Sequence, residues 1–146
     1  MATAKTFEDL KIWQDARKLG RAVYAASKSR AFYRDIGSRE QIRRAAVSVL
    51  SNIAEGFERA SRKELIQYLN IAKGSLGEVR SQLCIALDQG YLTRQEFDSL
   101  QEQGLILSRQ IAAFIRYLQQ APRSPRLNPA RKRGREPATC NPQPAT

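Results

Sequence analysis

Apolar residues recur at steps of three and four along most of this chain, which is the period of one face of an α-helix. Four stretches show the pattern and predict helices at about Phe7 to Ser27, Ser38 to Phe57, Ser61 to Gly90 and Thr93 to Pro122. Short connections between helices make consecutive helices antiparallel neighbours. The pattern therefore predicts an all-α fold, an up-down-up-down antiparallel four-helix bundle over residues 1–121.

Capping signals mark the predicted helix starts. Ser38, Ser61 and Thr93 are each followed three residues later by Gln or Glu, the sequence form of a capping box. Thr6 with Asp9 is a further N-terminal cap, ahead of the first helix. These signals place the start of every predicted helix.

Two segments are expected to pack closely on the bundle. Residues 29–37 form the longest connection, and Phe32 and Tyr33 are expected to pin it. Gly74 and Gly77 lie inside the third helix, where each costs about 1 kcal/mol relative to alanine. We expect the close approach of a neighbouring helix to offset that cost. A phosphate-binding loop is a poor alternative, because no strand precedes the glycines and no Gly-Lys-Ser/Thr order follows.

The second helix lacks the polar face expected of a surface helix. Ten consecutive residues, 45–54, carry no charge, whereas a helix of a four-helix bundle keeps a solvent-facing side. The helix is therefore central to the monomer or covered by a second subunit. We predict an oligomer interface at Val47, Leu50, Ser51 and Asn52, with Asn52 fixing the register. The alternative for Asn52 is an exposed or locally hydrogen-bonded side chain.

The C-terminal segment has a different composition. All six prolines lie at or beyond Pro122, and all eleven aromatic residues lie before it. Such a segment buries too little apolar surface to offset the entropy of ordering, so residues 122–146 are predicted to form a disordered tail. Six of its residues are basic and one is acidic.

The net charge of +11 favours an anionic partner. Two basic clusters flank the second helix, and a third basic run lies in the tail. We predict that nucleic acid, RNA or DNA, contacts them through its phosphates, without base reading. The alternatives are a protein–protein scaffold that docks an acidic partner, and charges that serve solubility alone. The candidate residues are Arg39, Arg43, Arg44, Arg59, Arg62, Lys63, Arg131, Lys132, Arg133 and Arg135.

Catalytic and metal chemistry is not expected. The chain has no histidine, the commonest general base near neutral pH. Cys84 and Cys140 do not have metal-ligand spacing. Glu55, Glu58 and Glu64 lie among arginines and are typical of surface ion pairs. We expect no catalytic residue, no metal and no cofactor.

The cysteine pattern also bears on the setting of the chain. Two widely spaced cysteines favour a reducing, cytoplasmic environment. No apolar run approaches the length that crosses a bilayer, and the apolar helix faces have the size of a core. We expect no membrane partner.

Three motifs in fixed order carry a resemblance to a known family. They are residues 7–14 (FEDLKIWQ), 41–57 (QIRRAAVSVLSNIAEGF) and 63–76 (KELIQYLNIAKGSL). Over roughly residues 7–120 the chain resembles the bacterial four-helix-bundle proteins, also called 23S rRNA intervening-sequence proteins. This family usually has a proline where this chain has Leu50, which leaves a kink of the second helix open.

The resemblance has structural and functional implications. It implies an up-down bundle that assembles into a ring-like homopentamer with a basic surface. It also implies kinship with the accessory variability proteins of diversity-generating retroelements, which bind a reverse transcriptase and nucleic acid. The expected function is that of a non-enzymatic, basic, oligomeric scaffold for nucleic acid, with a reverse transcriptase as a candidate partner.

Overall fold

The computed structural model describes residues 3–122, and these contain helices and no strand. A short 3-10 turn at Phe7–Asp9 precedes five α-helices. The helices are α1 (Lys11–Ala26), α2 (Arg30–Arg34), α3 (Ile36–Glu58), α4 (Arg62–Asp88) and α5 (Arg94–Gln120). The predicted all-α fold is confirmed. The basic run Arg131, Lys132, Arg133 and Arg135 lies outside the described residues, as does the predicted tail from residue 123 onward.

The four long helices form the bundle. α3 packs against α1 and α4, and α5 packs against α4 and α1, so the helices follow one another around a common core. The core is apolar, and its most completely enclosed side chains include Ile53, Leu69, Leu76 and Ile111. α1 and α4 lie across the bundle from each other, because each packs against α3 and α5.

The capping predictions for the long helices are confirmed at two of three positions. The side chain of Ser61 accepts a hydrogen bond from the backbone N–H of Glu64, and Thr93 caps α5 in the same way. The prediction at Ser38 is wrong. α3 begins earlier, because the Oδ1 of Asp35 accepts a hydrogen bond from the Ser38 backbone N–H at 3.1 Å. An aspartate is as good an N-cap as a serine.

The predicted N-terminal cap of Thr6 with Asp9 caps the 3-10 turn and not α1. The Oδ2 of Asp9 accepts from the backbone N–H groups of Thr6 and Lys5, at 3.1 and 3.0 Å. The hydrogen bond from Thr6, followed by that from Lys5, lowers the pKa of Asp9. Leu10 is extended and separates the turn from α1, which starts at Lys11.

The connection between α1 and α3 contains the short helix α2. Phe32 is buried and stacks on Tyr91, with ring centroids 5.2 Å apart, so the expected pinning role of Phe32 is confirmed. Tyr33 is half exposed, and it holds the connection through α3, because the guanidinium of Arg39 lies over its ring and donates a hydrogen bond to its carbonyl. The hydroxyl of Tyr91 donates to the Oδ2 of Asp35 at 2.9 Å, and this bond raises the pKa of Tyr91. These contacts hold the α4–α5 turn against the start of α3.

The prediction for the two glycines of α4 is wrong within this chain. A methyl group added at Gly74 or Gly77 would meet no neighbouring heavy atom within 4 Å. The close approach of α3 and α4 lies instead at Gly56, where an added methyl carbon would lie 2.7 Å from the Cβ of Tyr68. The sequence shows helix-interior glycines in both helices, but only the fold shows which of them a neighbouring helix meets.

Candidate nucleic-acid interface

Four side chains from three helices form an arginine–tyrosine cluster at one end of the bundle. The Cζ of Arg43 lies 4.5 Å from the ring centroid of Tyr24 and 5.8 Å from that of Tyr33. The Cζ of Arg39 lies 4.1 Å from the Tyr33 centroid. Guanidinium groups and tyrosine rings therefore alternate, an arrangement that arginine favours because its planar cation stacks on aromatic faces.

Hydrogen bonds hold both guanidinium groups of this cluster in place. Arg43 donates from Nε to the hydroxyl of Ser27 at 2.7 Å and from Nη2 to the carbonyl of Tyr24 at 3.4 Å. Arg39 donates from Nη1 to the carbonyl of Tyr33 at 2.7 Å. Arg39 and Arg43 are four residues apart and so project from the same face of α3. The remaining N–H groups are pre-oriented for another acceptor.

The positive charge at this end is not neutralised by ion pairs. Within the described residues, none of Arg39, Arg43 and Arg44 forms a salt bridge with a carboxylate. All three line one open groove of about 360 Å³, with Tyr24, Glu40 and Val47. Three cations against one carboxylate leave the groove positive. The first predicted cluster is thus brought together at one surface.

The second predicted cluster is largely paired. Arg59 forms salt bridges with Glu55, at 3.1 Å, and with Glu64, at 3.9 Å. The hydrogen bond with Glu55 contributes most to raising the pKa of Arg59. The hydroxyl of Tyr68 also accepts from Arg59 and donates to Glu55. The positive charge of Arg59 is therefore neutralised by carboxylates within the α3–α4 junction.

Arg62 has a structural role at the same junction. Its Nη1 donates to the carbonyl of Ala121 at 2.6 Å and its Nη2 to the carbonyl of Pro122 at 2.7 Å. Arg62 thereby satisfies backbone acceptors at the end of α5, which the helix itself cannot satisfy. Lys63 is exposed and is the remaining cation of the cluster.

The two clusters do not form one surface. The first lies at the start of α3 and the second just beyond its end, and α3 has 23 residues. A helix of that length spans about 35 Å. The structure therefore separates the two groups of arginines by the length of the bundle.

The predicted interface residues of α3 have different environments. Val47 and Ser51 are exposed, and Val47 is 41% accessible. Leu50 is half-buried and packs on the core beside Gly20 of α1. α3 runs unbroken through Leu50.

Asn52 makes its hydrogen bonds within α3. Its amide donates to the carbonyl of Ser48 at 2.8 Å and to the Ser48 hydroxyl at 3.0 Å. The Ser48 hydroxyl lies 2.8 Å from that of Ser75 on α4. This is the locally hydrogen-bonded alternative for Asn52, and it joins a polar network between the two helices.

Sequence reasoning missed the tyrosines of the cluster. Tyr24 and Tyr33 come from α1 and α2, and neither stands near the arginines in a recognisable motif. A usable signal was the position of Tyr24 at the end of α1, close to the connection that leads into α3.

Other types of site are not found in the described part of the chain. Between residues 3 and 122 no group of three or more histidine, cysteine, aspartate or glutamate side chains is placed to hold a metal ion. No helix in this range is both long enough and apolar enough to cross a membrane.

Comparison with known proteins places the fold and the family. The family described as 23S rRNA-intervening sequence protein matches residues 8–124, most of the chain. The chain belongs to this family. This 23S rRNA-intervening sequence family member has no match among curated proteins.

A solved structure supports the fold of this family member. It is a crystal structure of a protein with unknown function from the S23 ribosomal protein family of Bacteroides thetaiotaomicron. It is 20% identical in sequence, with a TM-score of 0.66, and the match covers 71% of this chain and 97% of that chain. At this identity the likeness concerns the fold alone.

Proposed function

We propose that the protein is a non-enzymatic, basic, oligomeric scaffold that binds nucleic acid through phosphates at the arginine–tyrosine cluster. One observation carries the proposal. Arg39, Arg43 and Arg44 line a single groove without an ion pair among the described residues, and hydrogen bonds to the protein orient two of them. Unpaired, oriented guanidinium groups suit the oxygen geometry of a phosphate.

The chemistry of the groove defines the expected binding. Guanidinium contacts to phosphates carry no base information, so affinity depends weakly on sequence. Each phosphate neutralised releases counterions, so affinity falls steeply as salt rises. Among nucleic acids of the same form and length, the affinity should therefore change little with base sequence and should fall as salt rises.

Fluorescence anisotropy with labelled structured RNA and duplex DNA, at low and moderate salt, tests this function. The variant Arg39→Gln with Arg44→Gln should bind at least about tenfold more weakly, because two phosphate contacts are lost. Arg39→Lys with Arg44→Lys keeps the charge and should retain most of the affinity. The control Arg109→Gln with Arg116→Gln removes two exposed arginines of α5, outside the groove. Equal binding by the variant of Arg39 and Arg44 and by the control contradicts the proposal.

We further propose that copies associate through the outer face of α3 and α4. Ser51 is exposed there, and so is Ile71, at 51%, whereas Val47 lines the groove and belongs to the proposed nucleic-acid site. Gly74 and Gly77 present bare helix backbone, with room for a close neighbour. The resemblance implies five copies. Each added copy repeats the arginine–tyrosine cluster, and linked sites on one nucleic acid raise avidity.

We propose smaller contributions from the other cations. Lys63 is exposed and free to contact a phosphate, whereas Arg59 and Arg62 hold their own partners. The run of residues 131–135 adds up to four charges. Neutralising that run in the full chain should lower the salt dependence without abolishing binding.

A positive groove also fits an acidic protein surface, so a protein–protein scaffold is the alternative function. On the resemblance, a reverse transcriptase of a diversity-generating retroelement is the candidate partner for either function. Absence of RNA and DNA binding at low salt by the isolated protein, despite its charge of +11, favours the alternative.

A further inference from the structure

A second set of cations continues the arginine–tyrosine cluster along α1. Arg17, Arg21 and Tyr24 are exposed, and Lys28 follows just beyond the end of the helix. Spacings of four and three residues place Arg17, Arg21 and Tyr24 on one side of α1, and Lys28 follows four residues after Tyr24. We call these four residues the α1 stripe. Arg17, Arg21 and Lys28 are not among the candidate residues that the sequence predicted.

The stripe and the cluster share a residue and therefore form one surface. Tyr24 belongs to both, since the guanidinium of Arg43 lies 4.5 Å from its ring centroid. At the far end, the Cζ of Arg17 lies 5.8 Å from the ring centroid of Trp13, which is half-buried and supports it. From Trp13 to Lys28 the surface extends about 22 Å at the rise of an α-helix.

The stripe keeps its positive charge. Among the described residues, Arg17, Arg21 and Lys28 form no salt bridge. Asp15, the acidic residue of α1, pairs instead with Lys11 at 2.8 Å and Lys18 at 3.9 Å. Those three residues line a groove shared with α5, on another side of the helix. The stripe is thus positive without local compensation.

The two tyrosines of the cluster are partly exposed, although a guanidinium group lies over each ring. Tyr24 is 39% exposed and Tyr33 is 49% exposed. Proteins that bind single strands combine a positive track for the backbone with aromatic rings on which bases stack. A duplex hides the faces of its bases and would leave both rings unused.

We infer that the α1 stripe and the arginine–tyrosine cluster together bind single-stranded nucleic acid. The cations contact successive phosphates, and the rings of Tyr24 and Tyr33 stack with bases. This inference rests on the proposed function, because it names the nucleic acid that the groove accepts. It extends the contact surface from the start of α3 along the length of α1.

The test uses the full chain with a fluorescein-labelled 20-nucleotide oligo(dT) and a 20-base-pair duplex, across a salt series. The wild-type protein should bind the single strand more tightly than the duplex. Tyr24→Leu with Tyr33→Leu should weaken single-strand binding about five- to a hundredfold, with the salt slope unchanged. Tyr24→Phe with Tyr33→Phe keeps both rings and should preserve the affinity, which controls for folding.

The salt slope tests the stripe itself. Arg17→Gln with Arg21→Gln should reduce the slope of log K against log salt by about 1.4, or 0.7 per phosphate contact on a single strand. The matched control Arg109→Gln with Arg116→Gln, on the exposed surface of α5, should leave the slope unchanged.

Two results would overturn the inference, and they differ in what they leave standing. Duplex affinity equal to that for the single strand, with no effect of the leucine variants, overturns the single-strand inference alone. The proposed function then stands if Arg39→Gln with Arg44→Gln still weakens binding. No binding of either oligonucleotide at low salt overturns both.

Discussion

The outer faces of α1 and α4 differ sharply, although both helices bury their other side in one core. The exposed charges of α1 are four basic residues and no acidic one. Those of α4 balance, with two basic and two acidic residues. Between its charges α4 exposes small and apolar side chains, namely Ile71, Gly74, Gly77, Ser81 and Ile85.

This difference fits the two functions that we propose for the bundle. A face of uncompensated cations attracts phosphates, whereas a face of glycine, serine and isoleucine suits close packing against another helix. α1 and α4 lie across the bundle from each other. One copy can therefore associate with its neighbours through α4 while α1 stays open to nucleic acid.

The largest expected effect comes from reversing one charge on each face. Arg21→Glu should weaken oligonucleotide binding at least about tenfold, since it replaces a phosphate contact by repulsion. Lys73→Glu changes the charge equally on α4, and at a concentration where the chain is a monomer by light scattering it should alter affinity less than about twofold. Anisotropy at low salt measures both. Equal losses would show that binding follows net charge and not the α1 face.

A glycine at a tight contact provides the next comparison. Gly56→Ala forces a methyl carbon to within 2.7 Å of the Cβ of Tyr68. Overpacking of this kind costs about 1–3 kcal/mol in the free energy of unfolding. Urea denaturation followed by circular dichroism gives the value. A neutral substitution would mean that α3 and α4 separate more easily than their packing indicates.

The exposed glycines of α4 should behave in the opposite way. Gly74→Ala with Gly77→Ala should stabilise the isolated chain by up to about 1 kcal/mol per position, because alanine is the better helix former and meets no neighbour. The same change should weaken self-association, measured as mass by light scattering. An unchanged mass would place the association surface elsewhere.

The smallest effect is expected at Asn52. Its amide bonds to Ser48 of its own helix, so Asn52→Ala should cost about 1 kcal/mol in folding stability. The oligomer mass should stay the same. A change of mass would mean that Asn52 reaches into another copy and fixes its register.

Local interactions explain which parts of the fold were predictable. Helix periodicity and the caps at Ser61 and Thr93 depend on residues within one turn, and both predictions are confirmed. The cap at Ser38 failed because Asp35, three residues earlier, accepts the same kind of bond. Two cap formers three residues apart compete, and sequence alone does not rank them.

The bonding partners of the arginines were not predictable, because they lie far away in the sequence or across a turn. Arg62 bonds to the carbonyl of Pro122, 60 residues away, and Arg43 to the hydroxyl of Ser27, 16 residues away. Arg59 meets Glu64 across the turn between α3 and α4. In the sequence, nothing distinguishes these three arginines from exposed cations without a partner.

Ultraviolet cross-linking of the full chain to single-stranded RNA, followed by mass spectrometry of the peptides, tests the central claim most directly. We expect adducts in residues 13–44, centred on Tyr24 and Tyr33. Adducts should persist in Tyr24→Phe with Tyr33→Phe and fall in Tyr24→Leu with Tyr33→Leu. Adducts concentrated on the outer face of α4, with none on α1 or α2, would contradict it.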